Sequence, residues 1–441
     1  MEQQVSNSQK ILVFIFPLSI FIMIFDRLKV YPTVNMSMYR VLQIPILVVI
    51  VIFLLGQRKI KFNLYSPTTI LLFGFLLSIL ISTLTAVYQE ISLIEARRII
   101  ELIILSYVMF FFIKYQWDER NWVTLAIIMM ITGTLSGLSV LTDLLGWTNF
   151  YRLYREVMPY MRPFGILGEP NYAAGKLGIF LPFAFFSIVN YRQYKSYFKC
   201  YLSVICTFLI IVAIFLTGSR MGGAVIVFSI FIFMVKLIRQ KRLFLKITIY
   251  FITVIMIIVL INSIIPIKIN FSKEINHTLE SYKSLFSFMT TGEELVGRRS
   301  LSSRSDMIRT GMNIFIDYPF FGIGLGNYKY FAPRYFFISQ MYYSHNTFIT
   351  ILSELGIIGF LFFIFICIKI ISNIYYFYKK SSFSSFYFYL GLSFVNLLIM
   401  SFFLHNVNDK YFWGMFIPIS MLLEYWKLNK KDLFNSEKEN L

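Results

Sequence analysis

Apolar runs about twenty residues long recur along almost the whole chain, and no other feature limits its fold so strongly. They lie near 11–25, 38–55, 67–87, 98–114, 122–145, 172–190, 198–217, 221–238, 244–265, 347–374, 384–404 and 411–426. A bilayer-crossing helix needs about 20 such residues, so the runs predict about 12 spans. Their hydrophobicity is continuous rather than striped, as lipid-facing helices require. They are too long, and alternate too little, for strands of a β-barrel. Composition agrees: 58% of residues are hydrophobic and only 14% charged. That is well short of a water-facing surface and far too apolar for disorder. The fold class expected is therefore an all-α integral membrane protein with one large extracytoplasmic loop. It divides as 1–265 (spans one to nine), 266–345 (the loop) and 346–441 (spans ten to twelve and a cytoplasmic tail).

The net charge is +19. In so apolar a chain, Lys and Arg orient helices, and no nucleic-acid partner is expected. With both termini cytoplasmic, the loops on that side and the ends collect about 20 cations, among them Arg58, Lys59, Lys114, Arg192, Lys195, Arg239, Lys241, Arg242, Lys379 and Lys430. The short loops opposite hold only about nine. Lys10 precedes the first run, but no small-residue cleavage site follows, only Asp26-Arg27, so that run reads as a span. Cys200, Cys206 and Cys367 all lie in apolar runs, with no spacing suited to zinc or a disulfide framework.

One loop stands apart. Residues 266–345 would face outside, and a loop of that length escapes the charge rule. Irregular loops of this size are usually functional or disordered. Within it, Ser303-Arg304-Ser305-Asp306 resembles a capping box. Ile308, Met312, Phe315 and Ile316 then share one side, with Arg304, Arg309 and Asn313 polar. The pattern predicts an amphipathic helix at 304–317, packed on the outer face of the bundle and ended by Pro319.

Ionisable groups in or near a membrane are costly, which makes them functional candidates. Arg220 lies in the tight turn Thr217-Gly218-Ser219-Arg220. It is either a snorkelling interfacial arginine or an anion ligand, whose planar fork suits phosphate. Glu169 and Asn171, in Gly168-Glu169-Pro170-Asn171, are either substrate contacts or polar groups that start a helix; Lys176 follows one to two turns inside. The loop closes with Gly322-Ile323-Gly324-Leu325-Gly326-Asn327, then Ser344-His345-Asn346, then Glu354-Leu355-Gly356. The glycines lack the third-glycine spacing and βαβ setting of a dinucleotide site and read as a turn that tucks the loop onto the bundle. His345, at the start of span ten, is either a neutral general base or a hydrogen-bonding interfacial histidine. His405-Asn406 is a similar pair after span eleven. Asp306, Asp317, Glu293 and Glu294 are too scattered for a Mg²⁺ site.

At these residues the chain resembles the O-antigen ligase/polymerase superfamily, bacterial membrane glycosyltransferases acting on undecaprenyl-diphosphate-linked glycans. Three blocks carry the likeness: GEPNYAAG at 168–175, TGSR at 217–220, and the stretch at 303–359 that runs from Ser-Arg through P-x-x-G-x-G-x-G-N and His-Asn to E-L-G. Where the family often has an aromatic after Ser-Arg, this chain has Ile308 or Met312. The resemblance implies that Arg220 and Arg304, with Arg309 a weaker candidate, hold the donor diphosphate. It implies that His345 deprotonates or orients the acceptor hydroxyl. Asn346, His405, Glu169 and Asn171 are further candidate substrate contacts. Inverting transfer without metal or cofactor is expected, at the outer face of the bacterial cytoplasmic membrane, in the service of O-antigen, capsule or exopolysaccharide assembly. The partners implied are the lipid-linked glycan donor and acceptor, the bilayer, and potentially a chain-length regulator and a flippase. Polymerase is favoured because the loop is compact and no soluble domain is appended; a ligase transferring finished glycan to a lipid core or other acceptor is the alternative. A transporter is a third reading, weakened by the lack of two matching halves and by candidates that cluster at the surface rather than the midplane.

Overall fold

The computed structural model describes residues 12–31, 34–57, 66–148, 162–190, 197–238, 300–335 and 343–438. The chain is an all-α membrane protein with one small hairpin. Its elements are α1 (Ile15–Ile22), β1 (Lys29–Tyr31), β2 (Val34–Ser37), α2 (Met38–Leu55), α3 (Pro67–Leu84), α4 (Gln89–Gln116), α5 (Asn121–Leu144), α6 (Pro170–Val189), α7 (Tyr197–Leu216), α8 (Arg220–Ile238), α9 (Ser300–Asp317), α10 (Tyr328–Tyr335), α11 (Thr347–Lys380), α12 (Ser384–Ser401) and α13 (Ile417–Lys438). A π-helical turn, Phe412–Phe416, leads into α13. Strands β1 and β2 pair antiparallel, a hairpin that the apolar runs do not announce.

Eight described helices are long and apolar enough to cross a membrane: α2, α3, α5, α6, α7, α8, α11 and α12. The runs near 11–25, 98–114 and 411–426 are helical too, in α1, α4 and α13. The run at 244–265 lies outside the described residues.

Helix ends follow local chemistry. Ser66 caps α3 by accepting from Thr69 N, with Pro67 in the first turn, where its missing N–H costs nothing. Helix α6 starts on Pro170 and is almost wholly enclosed, whereas α2 is mostly open to lipid. The enclosed helix carries Pro182 in its interior. Proline has no N–H for the carbonyl four residues back, which here is Gly178. In a membrane that carbonyl needs another donor. Asn396 of α12 supplies it, Nδ2 to Gly178 O at 2.8 Å, and Nδ2 also reaches Ser229 Oγ of α8 at 2.9 Å. Ser393 Oγ donates to Ile179 O at 2.7 Å. The proline break is thus sealed by α12, which ties α6, α8 and α12 together.

Helix α9 differs from expectation twice. It begins at Ser300, so Ser303–Asp306 lies inside the helix rather than capping it. Its buried face is Met307, Thr310, Gly311 and Ile314, while Ile308, Met312 and Ile316 are exposed. Small residues explain the rotation. A Cβ on Gly311 would sit 2.3 Å from Ile349 Cγ2, so this face approaches α11 closely. Tyr328 Oη also donates to Met307 O.

Candidate active site

The glycine-rich segment and the Glu-Leu-Gly segment are two halves of one join. Helix α11 is interrupted at Gly356, with φ 64° and ψ −168°. An interruption orphans the N–H groups after it and the carbonyls before it. Here Ile357 N donates to Pro319 O at 2.8 Å and Ile358 N to Phe320 O at 3.4 Å. In return Ser353 O accepts from Ile323 N at 3.1 Å, and Glu354 O from Gly324 N at 3.0 Å. Glu354 is fully buried, and its Oε1 accepts from Tyr328 N at 3.0 Å, at the start of α10. Ser92 Oγ of α4 donates to Leu325 O at 3.1 Å. The second half of the long loop is thereby bolted between α4 and α11, and this seats α9 against α11.

His345 precedes α11 with φ 50°, a left-handed conformation uncommon in residues other than glycine and typical of functional or strained positions. Asn346 caps α11, its Oδ1 accepting from Ile349 N at 3.1 Å. Ser344 Oγ donates to Asn346 O at 2.7 Å, which fixes the chain on the histidine's other side. Burial pushes the His345 pKa below its usual 6.5, and the nearby Arg304 guanidinium lowers it further. Both influences favour the neutral imidazole, the form a base needs.

His405 lies beside it. Its ring stacks on Tyr343 at 4.5 Å and 14°, and its Nδ1 is 3.2 Å from Thr350 Oγ1. That hydroxyl donates to Asn346 O at 2.9 Å. Thr350 Oγ1 is also 2.5 Å from Ser344 Oγ, so the hydroxyl links His405 to the chain around His345. Burial, with His345, Arg27 and Lys329 adding to it, pushes the His405 pKa down to about 4.

Arg220 opens α8 after Gly218, whose φ is 60°. Arg162 donates from Nη1 to Gly218 O at 2.8 Å and from Nη2 to Asn171 Oδ1 at 3.4 Å. Asn171 therefore joins the TGSR turn through Arg162. Glu169 goes elsewhere: it pairs with Arg27 at 3.6 Å, and Arg27 lies 3.6 Å over the Tyr172 ring. Tyr172 Oη donates to the carbonyl of His405. Arg304 stands near His345, while Arg309 is exposed on α9.

The structure thus brings together Arg304, His345 and His405, and separately Asn171 with the TGSR turn. Sequence reasoning missed Arg162 and Arg27. Arg162 follows a stretch with other arginines, at 152 and 155, and no spacing singles it out. Arg27 was read only as the end of the first run, and its partner lies far along the chain.

Residues 205–364 match the family model described as O-Antigen ligase. The match takes in Arg220, the whole of α9, the glycine-rich join and His345. No curated protein matches the chain.

Proposed function

We propose, from the premise that this chain is a member of the O-antigen ligase/polymerase superfamily, that it polymerises undecaprenyl-diphosphate-linked oligosaccharide repeats at the outer face of the cytoplasmic membrane. The observation that carries this reading is His345, held at the foot of α11 in a left-handed conformation with the Arg304 charge nearby. A base and a diphosphate ligand are the two things the reaction needs together. His345 takes the proton of the acceptor hydroxyl, and its oxygen attacks the anomeric carbon. The bond from that carbon to the diphosphate oxygen breaks on the opposite side, and the electron pair leaves with the diphosphate, inverting the centre. Arg304 and Arg220 stabilise the leaving charge; preorganised donors of this kind act most strongly where water is scarce. Arg309, exposed on α9, meets the anion earlier on its way in.

A ligase reading shares this chemistry and differs only in the acceptor. Glycans of a deletion strain separate the two. Single repeats at the surface mark a lost polymerase; long chains left on carrier lipid mark a lost ligase. His345→Ala and Arg220→Ala are expected to abolish glycan assembly at unchanged protein level. Normal-length polysaccharide from either variant removes that residue from the mechanism. Arg304→Lys is expected to be poor as well, because a point charge does not replace a fork.

A further inference from the structure

At the same end of the bundle lies a second polar cluster, which the arginines above do not use. Its rim is Arg27 paired with Glu169, and Asp26 3.6 Å from Lys410 Nζ; all four side chains are part-exposed. Its floor is Lys176, Asp409 and Tyr411, each 4% exposed or less. Two polar groups of the floor make no hydrogen bond among the described residues. Lys176 is 2% exposed, and among the described residues no hydrogen bond or ion pair reaches its ammonium. Tyr411 Oη is buried without a hydrogen bond, and the centre of its ring is 6.0 Å from Lys176 Nζ. Asp409 balances the charge of Lys176 through space but spends its hydrogen bonds elsewhere: its Oδ1 takes Tyr411 N and Phe412 N, and its Oδ2 takes Asn406 Nδ2. A buried hydroxyl left without a hydrogen bond beside an ammonium whose three donors are unused is an arrangement that folding alone does not explain.

Charge identifies the ligand class. Three carboxylates (Asp26, Glu169, Asp409) meet three cations (Arg27, Lys176, Lys410), so the cluster is formally neutral. A neutral cluster does not select a diphosphate. Open donors beside carboxylates suit a group that both accepts and donates, which is a hydroxyl. Tyr172, under Arg27, is bonded to the backbone of His405, so whatever occupies the cluster adjoins the imidazoles.

We propose that Lys176 and Tyr411 form the floor of a saccharide subsite that binds the hydroxyl-rich part of the glycan, separate from the arginines assigned to the diphosphate. The proposal rests on the glycosyltransferase reading for its substrate, but its test reads binding and not transfer. The full-length protein in lipid nanodiscs is titrated with the repeat-unit oligosaccharide, freed of lipid and diphosphate, and followed by saturation-transfer NMR. Saturable binding is expected, unaffected by inorganic diphosphate. Lys176→Met should weaken it at least about tenfold, the effect of losing one hydrogen bond from a charged group. Tyr411→Phe removes an oxygen that makes no internal bond, so it folds, and it should weaken binding severalfold. His345→Ala should bind normally while losing transfer; if it also transfers normally, the catalytic reading fails and the subsite stands. No saturable binding to wild type, equal binding by Lys176→Met and Tyr411→Phe, or displacement of the sugar by inorganic diphosphate would each overturn the subsite.

Discussion

The join between the loop and α11 makes Gly356→Ala the most demanding test of the architecture. Gly356 occupies a backbone region essentially reserved for glycine, and a residue forced into it costs about 1–3 kcal/mol. Space is closed as well. A Cβ there would lie 2.3 Å from both C and O of Phe320 and 2.6 Å from Phe321 N. These are backbone atoms, held by the bonds from Ile357 and Ile358, so they do not swing away as a side chain would. Overpacking adds about 1–3 kcal/mol, for a total of about 2–6 kcal/mol. Total stabilities are commonly about 5–15 kcal/mol, so the join should open before the bundle unfolds. Gly322 is its counterpart: φ 66°, with a Cβ 2.3 Å from Glu354 C.

The assay is thermal unfolding in detergent together with limited proteolysis of the long loop. Gly356→Ala and Gly322→Ala should each melt several degrees lower and admit protease between α9 and α11. Because both open the same join, the double variant should cost less than the two single effects added. Gly391→Ala is the control: its nearest neighbour is Ile374 Cγ2 at 3.4 Å, it lies inside α12, and alanine is the better helix former. If Gly356→Ala melts with wild type and keeps its loop protected, the reciprocal exchange does not hold the loop and the argument is wrong.

Asn396→Leu should destabilise the bundle by about 1–3 kcal/mol, because Gly178 O loses the donor that Pro182 made necessary; a melting curve that matches wild type would show the carbonyl to be satisfied otherwise. Met307→Ala should cost about 2–3 kcal/mol and Ile316→Ala within about 0.5 kcal/mol, since the first side chain is 6% exposed and the second 67%; the reverse order in thermal melts would return α9 to the rotation its bulky apolar residues suggest. In a pH–rate profile, the acid limb set by His345 should fall below pH 6.5, because a lowered pKa keeps the imidazole neutral to lower pH. Arg304→Gln removes the neighbouring positive charge, so its residual activity should show that limb moved upward; an unmoved limb would mean that the two groups are not coupled.

Much of the bundle was legible because a span asks only for length and continuous apolarity, and both survive any rotation of the helix. The rotation of α9 was not legible. Bulky Ile308, Met312 and Ile316 suggest the buried face, but the close approach to α11 admits only small Gly311 there. His345 and Arg304 could be found because they lie in one continuous stretch of sequence. Arg162 and Arg27 could not, since their meaning comes from Gly218, Asn171 and Glu169, which only folding brings near. The same limit applies to charge. A net charge counts Arg27, Lys176 and Lys410 with every other cation, yet Asp26, Glu169 and Asp409 offset all three in place. Among the described residues, cations at the His345 end outside that cluster include Arg304, Arg220, Arg162 and Lys329, a smaller set than the +19 suggests. A diphosphate and a sugar need opposite things from a surface, net charge and balanced hydrogen bonding, so the diphosphate and saccharide readings proposed above call for different residues.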